Sequence, residues 1–408
     1  MTGEISSLNI MLLGIILIAG FLIIYPSLDA AVEARQNKIS IKDSITLSAG
    51  YIKNSTLENG RFVYKRDIKN PDKKYKDDQY NTIRHGGTLY SMLTYERLMN
   101  DDFLKKERIK ASIYYRDNYI IPAPQISKTV YVAVSKPEEE HFNFPGPQAK
   151  LGAAGMALTS LSPLYSEDLI ELDVLKGLGE FILFMQKSEG NFSYIYDLNA
   201  KKKNPQFKVR FYPGEAALGL LYLYEVDPQE KWLNASKKAL LYRAKNRQNL
   251  GDDIIFDHWC MLATEKLFSI ENNGLYPAEK KLLQSHCIQN ANSIMPKQIL
   301  DKKHKYYGNF EGGFGPCDIG TIMEGMAAIY NSIDDEQTKE KIMKSMKAGN
   351  EFLSNTQIKK GSLKGGLPMH ENWQDSDAAP NASIIRIDTV QHVLAGWVAY
   401  QHIIDKEK

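Results

Sequence analysis

The sequence predicts an all-α fold: an (α/α)6 toroid of six helical hairpins with short β-hairpin loops at one end, preceded by an N-terminal transmembrane helix. Three observations carry this. Six segments rich in small and apolar residues, nearly free of charge beyond their first turns, start 43 to 70 residues apart along the 408-residue chain. Six amphipathic segments with one charged face alternate with them. After four of the amphipathic segments comes a glycine, often with an aromatic close behind it. A helix that is apolar all round belongs in an interior, whereas one with a single apolar stripe covers it. The inner helices of such a ring run parallel, so their starts collect at one end. An open α-solenoid of the same hairpins is the competing arrangement, because a repeat alone does not dictate closure.

The elements follow in order. The run LNIMLLGIILIAGFLIIYP, Leu8–Pro26, is uncharged and long enough to cross a bilayer core. A cleaved signal peptide competes, with Val32-Glu33-Ala34 as the cleavage site, but the preceding MTGEISS has no Lys or Arg, unlike a secretory n-region. An uncleaved anchor and linker are therefore expected over residues 1–34, and a toroidal catalytic-type domain over 35–408. The first outer segment, 38–54, leads through Gly60-Arg61-Phe62-Val63-Tyr64 to the inner RHGGTLYSMLTYERLM (84–99). The second hairpin joins 102–117 to KLGAAGMALTSLSPL (150–164). The third runs from 168–187 through Gly190-Asn191-Phe192-Ser193-Tyr194 to GEAALGLLYLYEV (214–226). Alternation in FSYIYD marks a short β-hairpin there, and Pro213 presets the first helical turn that follows. The fourth pairs 229–247 with DHWCMLATEKLFSI (257–270). The fifth passes from 277–298 through Gly312-Gly313-Phe314-Gly315 to DIGTIMEGMAAIYNSI (318–333). The sixth passes from 336–357 through Gly365-Gly366-Leu367-Pro368 to DTVQHVLAGWVAYQHII (388–404). Loops this long in a compact helical domain signal function more often than filler.

Composition removes several function classes. A formal net charge of +2 with both signs interspersed leaves no basic footprint for nucleic acid. Three cysteines, Cys260, Cys287 and Cys317, are an odd number without a CxxC spacing, which argues against a disulfide framework or a standard zinc module.

From about residue 38 to 408, the architecture and the glycine–aromatic turns resemble the six-hairpin glycosidase superfamily, toroidal glycoside hydrolases with polysaccharide lyases and sugar epimerases on related toroids. No single family's catalytic signature accompanies the pattern. The resemblance implies a carbohydrate-active cleft at the loop-bearing end, where the inner helices begin.

Polar residues at those starts would then converge: Arg84 and His85, Lys150, Tyr212 and Glu215, Asp257, His258 and Trp259, Asp318, and Arg386, Asp388 and His392. Helix N-termini present free N–H groups and partial positive charge, which favour carboxylates. Asp257, Asp318 and Asp388 each stand where an N-cap belongs, but bulky neighbours such as Arg84-His85, His258-Trp259 and Arg386 exceed what capping needs. Glu215, inside its helix in the context FYPGE, is expected to point into the cleft as an acid/base or substrate-orienting group. Glycoside hydrolysis needs two carboxyl groups, one protonated and one ionised. Glu215 with Asp257 is the preferred pair, because they begin adjacent inner helices, and Asp318 and Asp388 are the substitutes. A lyase or epimerase would instead take Tyr212, His85 or His258 as base, with Arg84 or Arg386 neutralising a uronate. Both chemistries use the same mouth, and the residues leave the choice open. Asp388 and His392, at i and i+4, are expected to bond to each other. Glu324, two turns down its helix, reads as a buried, hydrogen-bonded acid. His258, His392, His85 and Cys317 are metal-ligating types without a zinc spacing, so neither metal nor cofactor is expected.

The resulting expectation is a membrane-anchored enzyme acting on a polysaccharide or glycoconjugate of the cell envelope. Arg35, Lys38 and Lys42 after the anchor favour a cytoplasmic body by the positive-inside rule. The envelope substrate favours a periplasmic or extracytoplasmic one, and that is the placement adopted. The rival is a non-catalytic glycan-binding or assembly component of an envelope complex, which would tolerate Asp257→Asn.

Overall fold

The computed structural model describes residues 40–76, 79–140, 146–250 and 255–408. The Leu8–Pro26 run, expected to be an anchor, lies outside them. Among the described residues, no helix is long and apolar enough to cross a membrane.

Twelve α-helices occupy the described residues, in chain order α1 (Ile41–Ser55), α2 (Thr82–Met99), α3 (Lys105–Tyr119), α4 (Leu151–Leu161), α5 (Leu172–Met185) and α6 (Tyr212–Val226). They continue with α7 (Glu230–Arg247), α8 (His258–Ser269), α9 (Pro277–Ile294), α10 (Pro316–Tyr330), α11 (Glu336–Thr356) and α12 (Ile387–Lys406). The even-numbered helices are the small, apolar segments, and they form the inner layer. Every residue of α4 is buried, whereas α11 buries only a stripe that includes Ile342, Met346, Phe352 and Leu353. Contacts run α2 to α4, α6, α8, α10 and α12 in turn, and α12 packs back on α2. The ring is closed. Small residues allow the inner backbones to touch: a Cβ on Gly219 of α6 would lie 2.4 Å from the carbonyl oxygen of Gly155 in α4.

Glycine turns tie four of the six outer helices to the next. Gly60, Gly190, Gly308 and Gly365 all have φ between 88° and 108°, a region that side chains strain to reach. Their missing Cβ atoms would fall 1.9 to 2.6 Å from carbonyl oxygens of Lys110, Lys238, Ala348 and Leu47, one in each following outer helix. After three of them a phenylalanine bridges back to the helix end, Phe62 to Thr56, Phe192 to Gln186 and Phe310 to Gln298. The fifth hairpin thus uses Gly308-Asn309-Phe310, not the expected Gly312-Gly313-Phe314. The chain meets α11 at Gly308, while Gly313 has nothing within 4 Å of its Cβ position. Side-chain amides repeat as well: Gln186, Gln298 and Gln357 donate to the carbonyls of Ala235, Ser345 and Ser44 on the neighbouring outer helices.

Gly365 closes the circle against α1. Gly365→Ala is expected to cost about 2–3 kcal/mol, from the positive φ and the clash with Leu47 together. Urea denaturation measures this, and an unchanged midpoint would show that the turn relaxes away from α1.

Short strands decorate the mouth end. β1 (Lys65–Asp67) pairs with β7 (Ile384–Arg386), joining the first and last loops. β2 (Ile120–Pro122) and β3 (Tyr131–Ala133) form a hairpin. β4 (Gln148–Lys150), β5 (Ile195–Asp197) and β6 (Lys202–Lys203) make a three-stranded sheet in that order. β5 falls within the expected FSYIYD stretch.

Candidate active site

A cavity of about 860 Å³ opens where the six inner helices begin. Its wall includes Arg84 from α2, Tyr212 and Glu215 from α6, His258 and Trp259 from α8, Asp318 from α10, and Asp388 and His392 from α12. Lys150 enters from β4 and is ion-paired with Glu140. Residues as far apart in sequence as Arg84 and His392 therefore share one opening.

Three expected residues are placed elsewhere. His85 follows Arg84 by one position, and a helix turns about 100° per residue. Its ring is consequently buried between α2 and α3 among Phe62, Tyr114, Tyr115 and Tyr119. There Nε2–H donates to the Ala111 carbonyl at 2.9 Å and Nδ1 accepts from the Tyr80 hydroxyl at 2.5 Å. Burial pushes its pKa down to about 3. Asp257 is fully buried and absent from the cavity wall. It caps α8 through the Cys260 N–H and accepts from Arg243 Nη2 at 2.6 Å, with Arg247 Nη1 3.8 Å away. Arg386 precedes α12 and reaches the site only through Asp388.

Asp388 is not an N-cap; it sits in the first turn of α12. Arg386 Nε donates to its Oδ1 at 2.9 Å and Arg84 Nε to its Oδ2 at 3.0 Å. Although burial opposes ionisation, these two guanidinium groups hold its carboxyl below the usual range. It therefore does not serve His392 as expected. His392 Nδ1 is instead bonded to Glu324 Oε2 at 2.9 Å, and His258 Nε2 lies 3.6 Å from the same oxygen. Glu324 is buried and hydrogen-bonded as the sequence suggested, and its place is central: it is bonded to one imidazole and lies close to the other. It also lines a separate hollow of about 310 Å³ with Tyr90, Ala327 and Ala395.

The two imidazoles differ in character. Their ring centroids are 5.5 Å apart and nearly perpendicular. Burial drives His258 well below the ordinary value, helped by repulsion from His392 and Arg210, and neither of its nitrogens has a hydrogen-bond partner. His392 is also desolvated, but the Glu324 carboxylate more than offsets this and raises it. Burial thus favours the neutral form of His258, while the Glu324 carboxylate favours the charged form of His392. Trp259 flanks both rings, at 4.7 Å from His258 and 6.3 Å from His392. Among the described residues, His258, Glu324 and His392 are also the trio whose donor atoms lie close enough for a metal, within 4.8 Å of one another. Within this trio the hydrogen bond joins His392 Nδ1 to Glu324 Oε2.

Glu215 is buried in the same wall, with Oε2 unpartnered. Burial, and then repulsion from Asp257, pushes its carboxyl from 4.5 up to about 8. Between those values the folded chain keeps a proton that the unfolded chain has lost, so stability falls as pH rises through this window. Glu215→Gln removes the penalty and is expected to stabilise the fold by roughly 2–3 kcal/mol at pH 7, with no gain near pH 4. Denaturation of both chains across pH 4–9 checks this; a gain independent of pH would contradict it.

The sequence reading did not single out Arg210, which precedes α6 and lies over the Phe211 ring at 4.2 Å. Its place on an irregular loop gave no periodicity to detect it.

No protein-family model and no curated protein sequence matches this chain. Solved structures do. An α-1,6-mannanase from Salegentibacter sp., in complex with alpha-1,6-mannotetrose, is similar with a TM-score of 0.58 at 14% identity, covering 89% of this chain and 99% of that one. A D-mannose isomerase has a TM-score of 0.59 at 11% identity, covering 90% and 97%. The cellobiose 2-epimerase from Bacillus thermoamylovorans has 0.55 at 15%, covering 85% and 94%. This chain has the (α/α)6 toroid fold that they share.

Proposed function

We propose that this chain is a carbohydrate-active enzyme that transfers protons at a sugar carbon next to a carbonyl, as an epimerase or isomerase does. The observation behind the proposal is the imidazole pair, His258 and His392, 5.5 Å apart, with burial pushing the pKa of the first down and Glu324 pulling that of the second up. Groups whose environments push their pKa values apart divide naturally into base and acid. Neutral His258 removes the proton, leaving an enediolate. His392, charged through Glu324, returns a proton to the opposite face of that carbon for epimerisation, or to its neighbour for isomerisation. Glu215 and Tyr212 are placed to bind hydroxyl groups, and Trp259 offers a face for the ring. Two similar structures are a mannose isomerase and a cellobiose epimerase, which agrees with this reading.

A second reading, hydrolysis, rests on Glu215: a neutral carboxyl with a free oxygen in the wall is a suitable general acid. Asp318, at the rim, is the exposed carboxylate left to oppose it, because Asp257 and Asp388 are held by arginines. Product analysis separates the two. The purified chain, given D-mannose, D-glucose, cellobiose and α-1,6-mannotetraose, is expected to interconvert reducing sugars without raising the number of reducing ends. New reducing ends that depend on Glu215, with no interconversion, favour hydrolysis. Binding without either product favours the non-catalytic component.

The same proposal keeps the Leu8–Pro26 run as an uncleaved tether over residues 1–34, with the domain of residues 35–408 facing an extracytoplasmic glycan and open to envelope partners. Protease protection of intact cells tests the side on which the domain lies.

A further inference from the structure

We infer that the substrate's sugar carries an acidic group, a carboxylate or phosphate, held by Arg210 with Lys208 and Lys297 at the cavity mouth. This deepens the proton-transfer reading and rests on that site. The argument is one of charge around the opening. The chain as a whole is nearly neutral, at +2, but the mouth is not. Asp388, in the wall, is shared by two arginines, Arg84 and Arg386. That cluster keeps an uncompensated positive charge. Lys150 is balanced by Glu140 and His392 by Glu324. Arg210, Lys208 and Lys297 all line the cavity, are exposed, and enter no salt bridge among the described residues. Against them stands Asp318 at the rim, while Glu215 is held neutral in the wall.

Position supports the same conclusion. The guanidinium of Arg210 lies 4.2 Å from the centroid of Phe211, and that ring stands edge-on to His258 at 5.2 Å. The cation thus lies over the ring that flanks the base. A guanidinium presents paired donors to a carboxylate or phosphate, and stacking on Phe211 orients it beforehand.

Binding to the His258→Asn chain, followed by NMR line broadening at matched ionic strength, tests the inference with D-glucose, D-glucuronate and D-glucose 6-phosphate. An acidic sugar is expected to bind about ten- to a hundredfold more tightly than glucose. The advantage should shrink as salt is raised and disappear in a second chain that also carries Arg210→Gln. Glucuronate and glucose 6-phosphate separate a carboxylate from a phosphate requirement. Equal binding of all three sugars, or a preference that survives Arg210→Gln, overturns the inference. The proton-transfer reading fails separately, if the unaltered chain prefers acidic sugars yet exchanges no carbon-bound proton in them.

Discussion

Replacing His258 by Asn is expected to lower turnover by about 10²–10⁴-fold, the usual contribution of a positioned general base, with little change in KM. His258 donates to and accepts from no protein group, so its loss leaves no buried partner stranded. The pH dependence follows from the asymmetry of the pair. Activity is lost as pH falls through the depressed value of His258, where the base takes up a proton. It is lost again as pH rises through the elevated value of His392, where the acid gives its proton up. The profile of kcat/KM is therefore a bell wider than one made from two ordinary histidines. Glu324→Gln removes the carboxylate that raises His392 and is expected to move the alkaline limb downward while leaving the acid limb near its place. An alkaline limb unaffected by Glu324→Gln would show that His392 is not the acid.

Asp257→Asn is expected to cost about 3–5 kcal/mol of stability, as for breaking a buried ion pair on one side. Asn is itself a good N-cap, so the cap to Cys260 survives and the loss is one of charge. Arg243 and Arg247 would be left facing each other and Arg210 without the carboxylate they share; Arg247 is already pushed down by burial and by Arg243. Thermal or urea denaturation measures the loss. Tolerance of this change was the expectation for a non-catalytic scaffold, but the geometry makes the aspartate structural whatever the cavity does. A stable Asp257→Asn chain would show that the arginines find other partners.

The closed ring was legible because inner and outer helices differ in composition, and each helix lies close to its expected segment. The same composition hid part of the site. A helix that is apolar all round has no polar face to show which way a given residue points. Arg84 and His85 looked equivalent at the start of α2, yet one faces the cavity and the other the interhelical layer. Asp257 and Glu215 begin neighbouring helices, but arginines from α7, an outer helix, claim the aspartate. No spacing in the sequence reports that contact. Glu324 was legible as a buried acid; that two histidines from α8 and α12 meet at it depends on inter-helix packing. Arg210 lies on a loop, where periodicity has nothing to say.

Proton exchange at carbon tests the central claim most directly. In D2O the unaltered chain, given a sugar that it binds, is expected to place deuterium on the carbon next to the carbonyl, as read by loss of that proton's NMR signal. The His258→Asn chain should bind the sugar and leave the signal intact. If the sugar is turned over by the unaltered chain and every carbon-bound proton is retained, His258 and His392 are not exchanging protons with carbon, and the proposal made for this cavity is wrong.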